Sequence, residues 1–235
     1  GKSWAVRTKA ILLALGYAGI RLLIVRRTYQ ELESNHIRIL RPQLAQVAEY
    51  KATTRTFTFL NGSTLEFGYC ASDGDMDRYQ GAEYDVIFLD ECTQLREQWM
   101  RQFAACLRGV NDFPKRIYYT CNPGGPGHSY IKRLFIDRRF EPGENPDDYV
   151  FIPARVTDNK ALLAAQPDYL KQLEALPRRL RQAWLEGRWD IFQGQVFSEF
   201  TDDPTHYADR RFTHVIPAFD IPREWRVYRS YDFGY

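Results

Sequence analysis

Residues 1–27 read GKSWAVRTKAILLALGYAGIRLLIVRR. From Ser3 to Leu15 the apolar residues Val6, Ala10, Leu13 and Leu15 recur at roughly helical spacing, and Gly16-Tyr17-Ala18-Gly19 ends the pattern as a turn. RLLIVRR follows as a short continuous apolar run, suited to a strand buried on both faces. A helix leading into a buried strand begins an α/β layer. The first three letters add chemistry. Gly-Lys-Ser closes a phosphate-binding loop of the form G-x-x-x-x-G-K-[ST], in which backbone amides at a helix N-terminus wrap phosphates, the lysine reaches the β and γ oxygens and the hydroxyl ligates magnesium. Lys2 and Ser3 stand directly before the helical pattern, as that mechanism requires. The loop's opening positions fall before residue 1, so the chain is expected to start inside it. Taken alone, the tripeptide also reads as a helix cap beside a surface lysine.

Further along the chain, RTFTFLNGSTLEFGYC (55–70) reads as two alternating strands joined by Asn61-Gly62, the pair that a tight type I′ hairpin prefers. YDVIFLDE (84–91) is a second buried run ending in two acids. RQFAACL (101–107) looks helical, RIYYTCNPGG (116–125) is a strand entering a glycine loop, and SYIKRLFI (129–136) is a short helix. Strands alternating with helices predict a mostly parallel sheet. After Pro142 the texture turns loop-rich. YVFIPA (149–154) reads as an edge strand, with helices around PDYLKQLEAL and RRLRQAWLEG. Residues from about 191 to 226 lack periodicity, and WRVYRSYDFGY (225–235) begins a new strand.

Composition narrows the function classes. Lys plus Arg number 32 against 30 Asp plus Glu over 235 residues, without the excess basicity of a simple DNA-coating protein. The four cysteines, Cys70, Cys92, Cys106 and Cys121, have no C-x-x-C spacing, which argues against zinc and fits a reducing compartment. The longest apolar stretch, AILLALGYAGIRLLIV, is interrupted by Gly16, Gly19 and Arg21, so no membrane span is expected. The four histidines form no triad or metal spacing and receive no role.

The acids of VIFLDE carry the next step. A strand would deliver Asp90 and Glu91 to the carboxyl edge of the sheet beside the phosphate loop, where Asp90 would hold the magnesium shell and Glu91 would orient and polarise the attacking water. At the end of the following strand, Thr120 and Asn122 are placed to sense a γ-phosphate; an ordinary Asn-Pro-Gly turn is the alternative. Arg26, Arg27, Lys132 and Arg133 lie near strand or loop ends and are candidates for gripping DNA phosphates. Solvated or acid-paired arginines are the alternative there.

In chain order, GKS, IVRRTYQEL, FTFLNGSTLEFGYC, RYQGAEYDVIFLDE, YYTCNPGGPGHSYIKRLF and LEGRWDIFQGQVFSEF resemble the large terminase subunit of tailed bacteriophages over essentially the whole chain. The resemblance implies an α/β P-loop NTPase of the additional-strand catalytic-glutamate type at 1–155. A linker subdomain at 156–225 and the first strand of an RNase H-like nuclease domain at 226–235 would follow. It implies that Gly1, Lys2 and Ser3 end the phosphate loop, that Asp90 and Glu91 are the magnesium and catalytic acids, and that Thr120, Cys121 and Asn122 form the coupling motif. Arg78 is the candidate arginine finger, supplied in some members by a neighbouring subunit; a surface pair with Asp75 or Asp77 is the alternative. Asp232 matches one nuclease metal acid, in a site left incomplete within this sequence. The implied cofactors are ATP with Mg2+ for the motor and Mg2+ or Mn2+ for the nuclease. The implied partners are double-stranded phage DNA, a portal protein, a small terminase subunit and further copies of the chain in a ring, a pentamer by resemblance. The place of action would be the host cytoplasm, docked on the procapsid. Another motor of the same ATPase class, such as a helicase or transposition ATPase, and a non-catalytic relic are the rival readings.

Overall fold

A computed structural model of the chain describes residues 1–190, 204–211, 213–226 and 228. It divides into two compact units, Gly1–Gln193 and Gly194–Tyr235. In the first, α1 (Lys2–Gly16) leads into β1 (Arg21–Arg26), as the opening residues predict. Next come α2 (Tyr29–Leu32), a π-helical turn (Glu33–Ile37) and α3 (Arg38–Leu44). The strands β2 (Ala48–Lys51), β3 (Thr56–Phe59), β4 (Thr64–Tyr69), β5 (Val86–Asp90) and β6 (Arg116–Thr120) complete one six-stranded sheet of order β2-β3-β4-β1-β5-β6. The pairs of β1 with β4, β1 with β5 and β5 with β6 are parallel; β2, β3 and β4 pair antiparallel. Helix α4 (Glu97–Ala105) lies between β5 and β6, and α5 (His128–Ile131) follows β6.

The two central strands are buried on both faces because side chains alternate along a strand. Leu22 and Ile24 of β1 and Val86 and Phe88 of β5 pack with Val6, Ala10 and Ala14 of α1 and with Leu40 and Leu44 of α3. Leu23, Val25, Ile87 and Leu89 face the opposite way, onto Trp99, Met100 and Phe103 of α4 and Tyr130 and Ile131 of α5. Three layers therefore share one sheet, with the hairpin extending its β4 side.

Two local expectations change. The hairpin turn is not type I′, because only Gly62 of the Asn61-Gly62 pair is left-handed, at φ 82°. Gly62 N–H donates to Phe59 O at 2.9 Å and Phe59 N–H to Ser63 O at 2.9 Å, the pattern of a three-residue loop closed by a left-handed glycine. A tertiary contact accompanies this choice: the Asn61 side-chain amide donates to Ala14 O at 2.8 Å, near the end of α1, while its carbonyl accepts from Ser63 N–H at 3.1 Å. The second change is at 149–154, where no strand forms. Val150, Phe151 and Ile152 are exposed and outside the sheet; apolar β-propensity alone does not make a strand without a paired neighbour.

Beyond it, α6 (Lys160–Ala165), α7 (Tyr169–Glu174) and α8 (Arg178–Trp184) form, the last two close to the helices read from the sequence. In the second unit Pro204–His206 makes a single 3₁₀ turn and the rings of Phe219 and Trp225 meet edge to face at 6.0 Å. Asp232 and most of the run read as the nuclease strand lie outside the described residues.

Candidate functional site

Alternation along the strands builds the site. Arg26 and Asp90 continue the faces of Ile24 and Phe88, so both point towards the α1 side of the sheet. Thr120 pairs in register with Asp90. At the carboxyl edge these side chains meet the first turn of α1, where Ser3 stands. Ser3 Oγ donates to Asp90 Oδ2 at 3.0 Å, Arg26 Nε donates to the same oxygen at 2.8 Å, and Thr120 Oγ1 donates to Oδ1. Arg26 also donates to Ser3 Oγ at 3.1 Å.

The fourth donor is His36, whose Nε2 lies 2.9 Å from Asp90 Oδ2. Asp90 and His36 are both fully buried. A carboxylate can only accept, so Nε2 carries the proton; Nδ1 has no hydrogen-bond partner among the described residues. Burial opposes ionisation of Asp90, but the His36 bond, the Arg26 charge and the Thr120 bond outweigh it and hold the carboxyl well below the usual carboxylate range. Burial pushes His36 the other way, below the ordinary histidine value, in spite of Asp90. The imidazole is therefore a neutral donor. It sits in the π-helical turn, a feature that recurs at functional sites, and Arg7 of α1 ties that turn down through Asn35 O.

Lys2 Nζ donates to Asn122 Oδ1 at 2.6 Å, joining the start of α1 to the loop after β6. Glu91 follows β5 in a left-handed conformation, φ 57° and ψ 45°, which turns the chain sharply out of the strand. Burial raises its carboxyl above the ordinary glutamate value; Asp90 adds to this and Lys2 opposes it. Beyond Glu91 the chain and the β6 loop are clamped together. Thr93 Oγ1 donates to Asn122 O at 2.9 Å and Gly127 N–H to Thr93 O at 2.9 Å.

The closeness explains two glycines. A Cβ on Gly125 would lie 2.4 Å from Thr93 O, and one on Gly127 would lie 2.4 Å from Leu95 O. Both neighbours are backbone and cannot swing aside. Gly127→Ala is expected to cost about 1–3 kcal/mol of stability by forcing the two loops apart; urea unfolding of the variant measures it, and an unchanged midpoint would contradict the clamp.

The structure thus brings Gly1, Lys2, Ser3, Asp90, Glu91, Thr120 and Asn122 to one edge. Cys121 turns to the other face and packs with the core that holds Cys92. Arg78 pairs with Asp75 and lies 4.0 Å from the centre of the Tyr69 ring, its side chain still 39% exposed. Of the DNA candidates, Arg26 is buried against Asp90, so its guanidinium is not on a surface where DNA could lie. Lys132 pairs with Asp137 at 2.7 Å, and Arg133 is held by both oxygens of Glu144 at 2.7 and 2.9 Å. Arg27 is exposed.

Sequence reasoning passed over His36. A signal was present: Leu32, His36, Leu40 and Leu44 recur every four residues, which puts the imidazole on the buried stripe of a helix.

As a metal site, the edge offers hard oxygens from Ser3 and Asp90 and no soft ligand. Among the described residues no group of three His, Cys, Asp or Glu side chains is placed to hold a metal. Two protein oxygens suit Mg2+, which is commonly bound by one or two protein ligands plus substrate phosphates. No described helix is long and apolar enough to cross a membrane.

Solved structures share this arrangement of strands and helices. The large terminase of a thermophilic bacteriophage matches with TM-score 0.61 at 18% identity, covering 80% of this chain and 47% of that one. The same protein in complex with ATP-γ-S matches with TM-score 0.58, also at 18% identity, over 77% and 43%. The large terminase ATPase domain of Thermus phage P74-26 matches with TM-score 0.53 at 14% identity, over 80% and 84%. This chain thus spans a little under half the length of the first of these proteins. No curated protein matches. At such identities the likeness establishes the fold, that of the large terminase ATPase domains, a P-loop NTPase. The family model described as terminase large subunit, T4likevirus-type, N-terminal, matches residues 1–201. With that match running from the GKS helix past the clamped β6 loop, the chain belongs to the phage terminase large subunits.

Proposed function

We propose that this chain carries the ATP-hydrolysing motor of a phage DNA-packaging terminase. One observation carries the reading: Ser3, Asp90 and Thr120 converge at the sheet's carboxyl edge, with Lys2 and Glu91 beside them, on the frame of a terminase fold. Lys2 would leave Asn122 for the β and γ phosphates, and Ser3 and Asp90 would hold Mg2+ together with phosphate oxygens. The ion supplies charge neutralisation on the phosphates when bound. Glu91 would accept the proton of the attacking water, its raised proton affinity suiting a general base. Thr120 and Asn122 would register loss of the γ-phosphate, Thr120 through Asp90 and Asn122 through Lys2.

The motor would occupy 1–155, a linker subdomain 156–225, and a nuclease domain would begin at 226–235, Asp232 joining further acids around Mg2+ or Mn2+. Arg78, partly exposed on its turn, is available to a neighbouring copy in a ring. Arg27 is the remaining exposed basic candidate at the β1 edge for double-stranded DNA. Portal and small-subunit contacts, and action in the host cytoplasm on a procapsid, belong to the same reading.

The test is ATP binding and Mg2+-dependent hydrolysis by the full-length protein and its Lys2→Ala variant. Losing the ammonium is expected to weaken ATP binding at least about tenfold, as befits a charge-assisted contact to phosphate. Equal affinity in the two proteins would remove the site from this edge.

A further inference from the structure

His128 joins two parts of the first unit that the motor reading leaves unconnected. Its imidazole is almost wholly buried. Gly124 N–H, in the loop that carries Asn122, donates to Nδ1 at 2.9 Å, and Nε2 lies 3.0 Å from Trp189 O. A carbonyl oxygen can only accept and a backbone N–H can only donate, so these two bonds fix the tautomer: Nε2 bears the hydrogen and Nδ1 the lone pair. The ring also stacks on the indole of Trp189, centroids 5.3 Å apart and planes 28° from parallel. His128 thus grips Trp189 by backbone and by ring, from a position four residues after Gly124.

The other side of the same loop is equally constrained. Asn122 accepts from Lys2 through its side chain and from Thr93 through its carbonyl, and Gly125 and Gly127 lie too close to the 93–95 backbone to admit a Cβ. A displacement of Asn122 or of the turn after Glu91 therefore has little slack to absorb it before it reaches His128. Interfaces packed this closely move between discrete arrangements instead of deforming smoothly.

We propose that His128 is the positioning residue that passes the state of the nucleotide site to the segment after α8, with Trp189 as its receiver. This rests on the reading of Lys2 and Ser3 as a nucleotide site, and it adds the link that the Thr120–Asn122 motif by itself lacks. His128 bonds to Gly124 and Trp189, which are not among the residues assigned to bind or cleave ATP. It acts through the loop.

The experiment uses the full-length protein with ATP-γ-S and Mg2+ as the probe, and His128→Asn as the variant. Asparagine keeps an acceptor for Gly124 N–H and is too short to reach Trp189 O. Hydrogen–deuterium exchange of the peptide containing residues 186–190 is expected to change on nucleotide binding in the native protein and to stay unchanged in the variant. ATP turnover should stay within about twofold while DNA packaged per ATP hydrolysed falls about tenfold, a coupling loss of ordinary size. Trp189→Ala attacks the contact from its other side and carries the same expectation if His128→Asn does not fold. An equal exchange response in native and variant proteins overturns the proposal, as does turnover falling in parallel with packaging, which would mark a merely structural histidine. Failure of the native protein to bind ATP-γ-S, measured separately by titration calorimetry, overturns the nucleotide reading and this proposal with it. Binding without any exchange response at 186–190 overturns this proposal alone.

Discussion

Glu91→Gln in the full-length protein is expected to lower ATP turnover by about 10²–10⁴-fold while ATP affinity stays within a few-fold, the range for removing a positioned general base. Glutamine keeps the shape and polarity of the side chain and removes only its ability to take a proton. Burial and the neighbouring Asp90 raise the Glu91 carboxyl above its usual value, against the pull of Lys2, so the native group holds a proton better than a surface glutamate. The backbone sharpens the test. Glu91 occupies a left-handed conformation at φ 57°, costly for a residue with a side chain and free for glycine. Glu91→Gly is therefore expected to gain stability, by about 1 kcal/mol, while losing turnover as fully as Glu91→Gln. Steady-state hydrolysis, calorimetric ATP binding and urea unfolding give the three readings. Turnover within about threefold of native in Glu91→Gln would transfer the base to another residue.

Asp90→Ala is expected to destabilise the protein by about 3–5 kcal/mol, as breaking one partner of a buried ion pair does. The substitution leaves the buried Arg26 guanidinium without a counter-ion and strands the donors of Ser3, His36 and Thr120 around an apolar methyl group. Asp90→Asn keeps the volume and one acceptor oxygen but not the charge, so it should fall between alanine and native. The pH dependence has a definite sign. Because the folded carboxyl is held below its unfolded value, its contribution is complete above the ordinary aspartate range and is lost as pH falls through the folded value. The difference in stability between native and Asp90→Ala should therefore shrink on acidification below about pH 4. A native-like urea midpoint for Asp90→Ala at neutral pH would show that the cluster holds no net stability.

Much of the architecture was legible because its signals are local. The helical spacing of Val6, Ala10 and Leu13, the unbroken runs at 22–25 and 86–89, and the glycine of the hairpin each act within a few residues. YVFIPA failed for the complementary reason. A strand exists only where an edge accepts it, and the composition of 149–154 says nothing of that. Arg26 shows the same limit inside the site. An arginine at a strand end reads equally as a DNA ligand or an acid's partner; its parity with Asp90 on adjacent parallel strands decides for the acid.

Local sequence therefore settles which chemical groups the protein owns and which secondary-structure ends carry them: Lys2 and Ser3 at a helix start, Asp90 and Glu91 at a strand end, Thr120 and Asn122 at the next. How those groups are held emerges only from the packing of distant segments. His36 reaches Asp90 across 54 residues and Trp189 meets His128 across 61. Such pairs depend on strand order, register and the face each side chain is given, which no window of neighbouring residues contains.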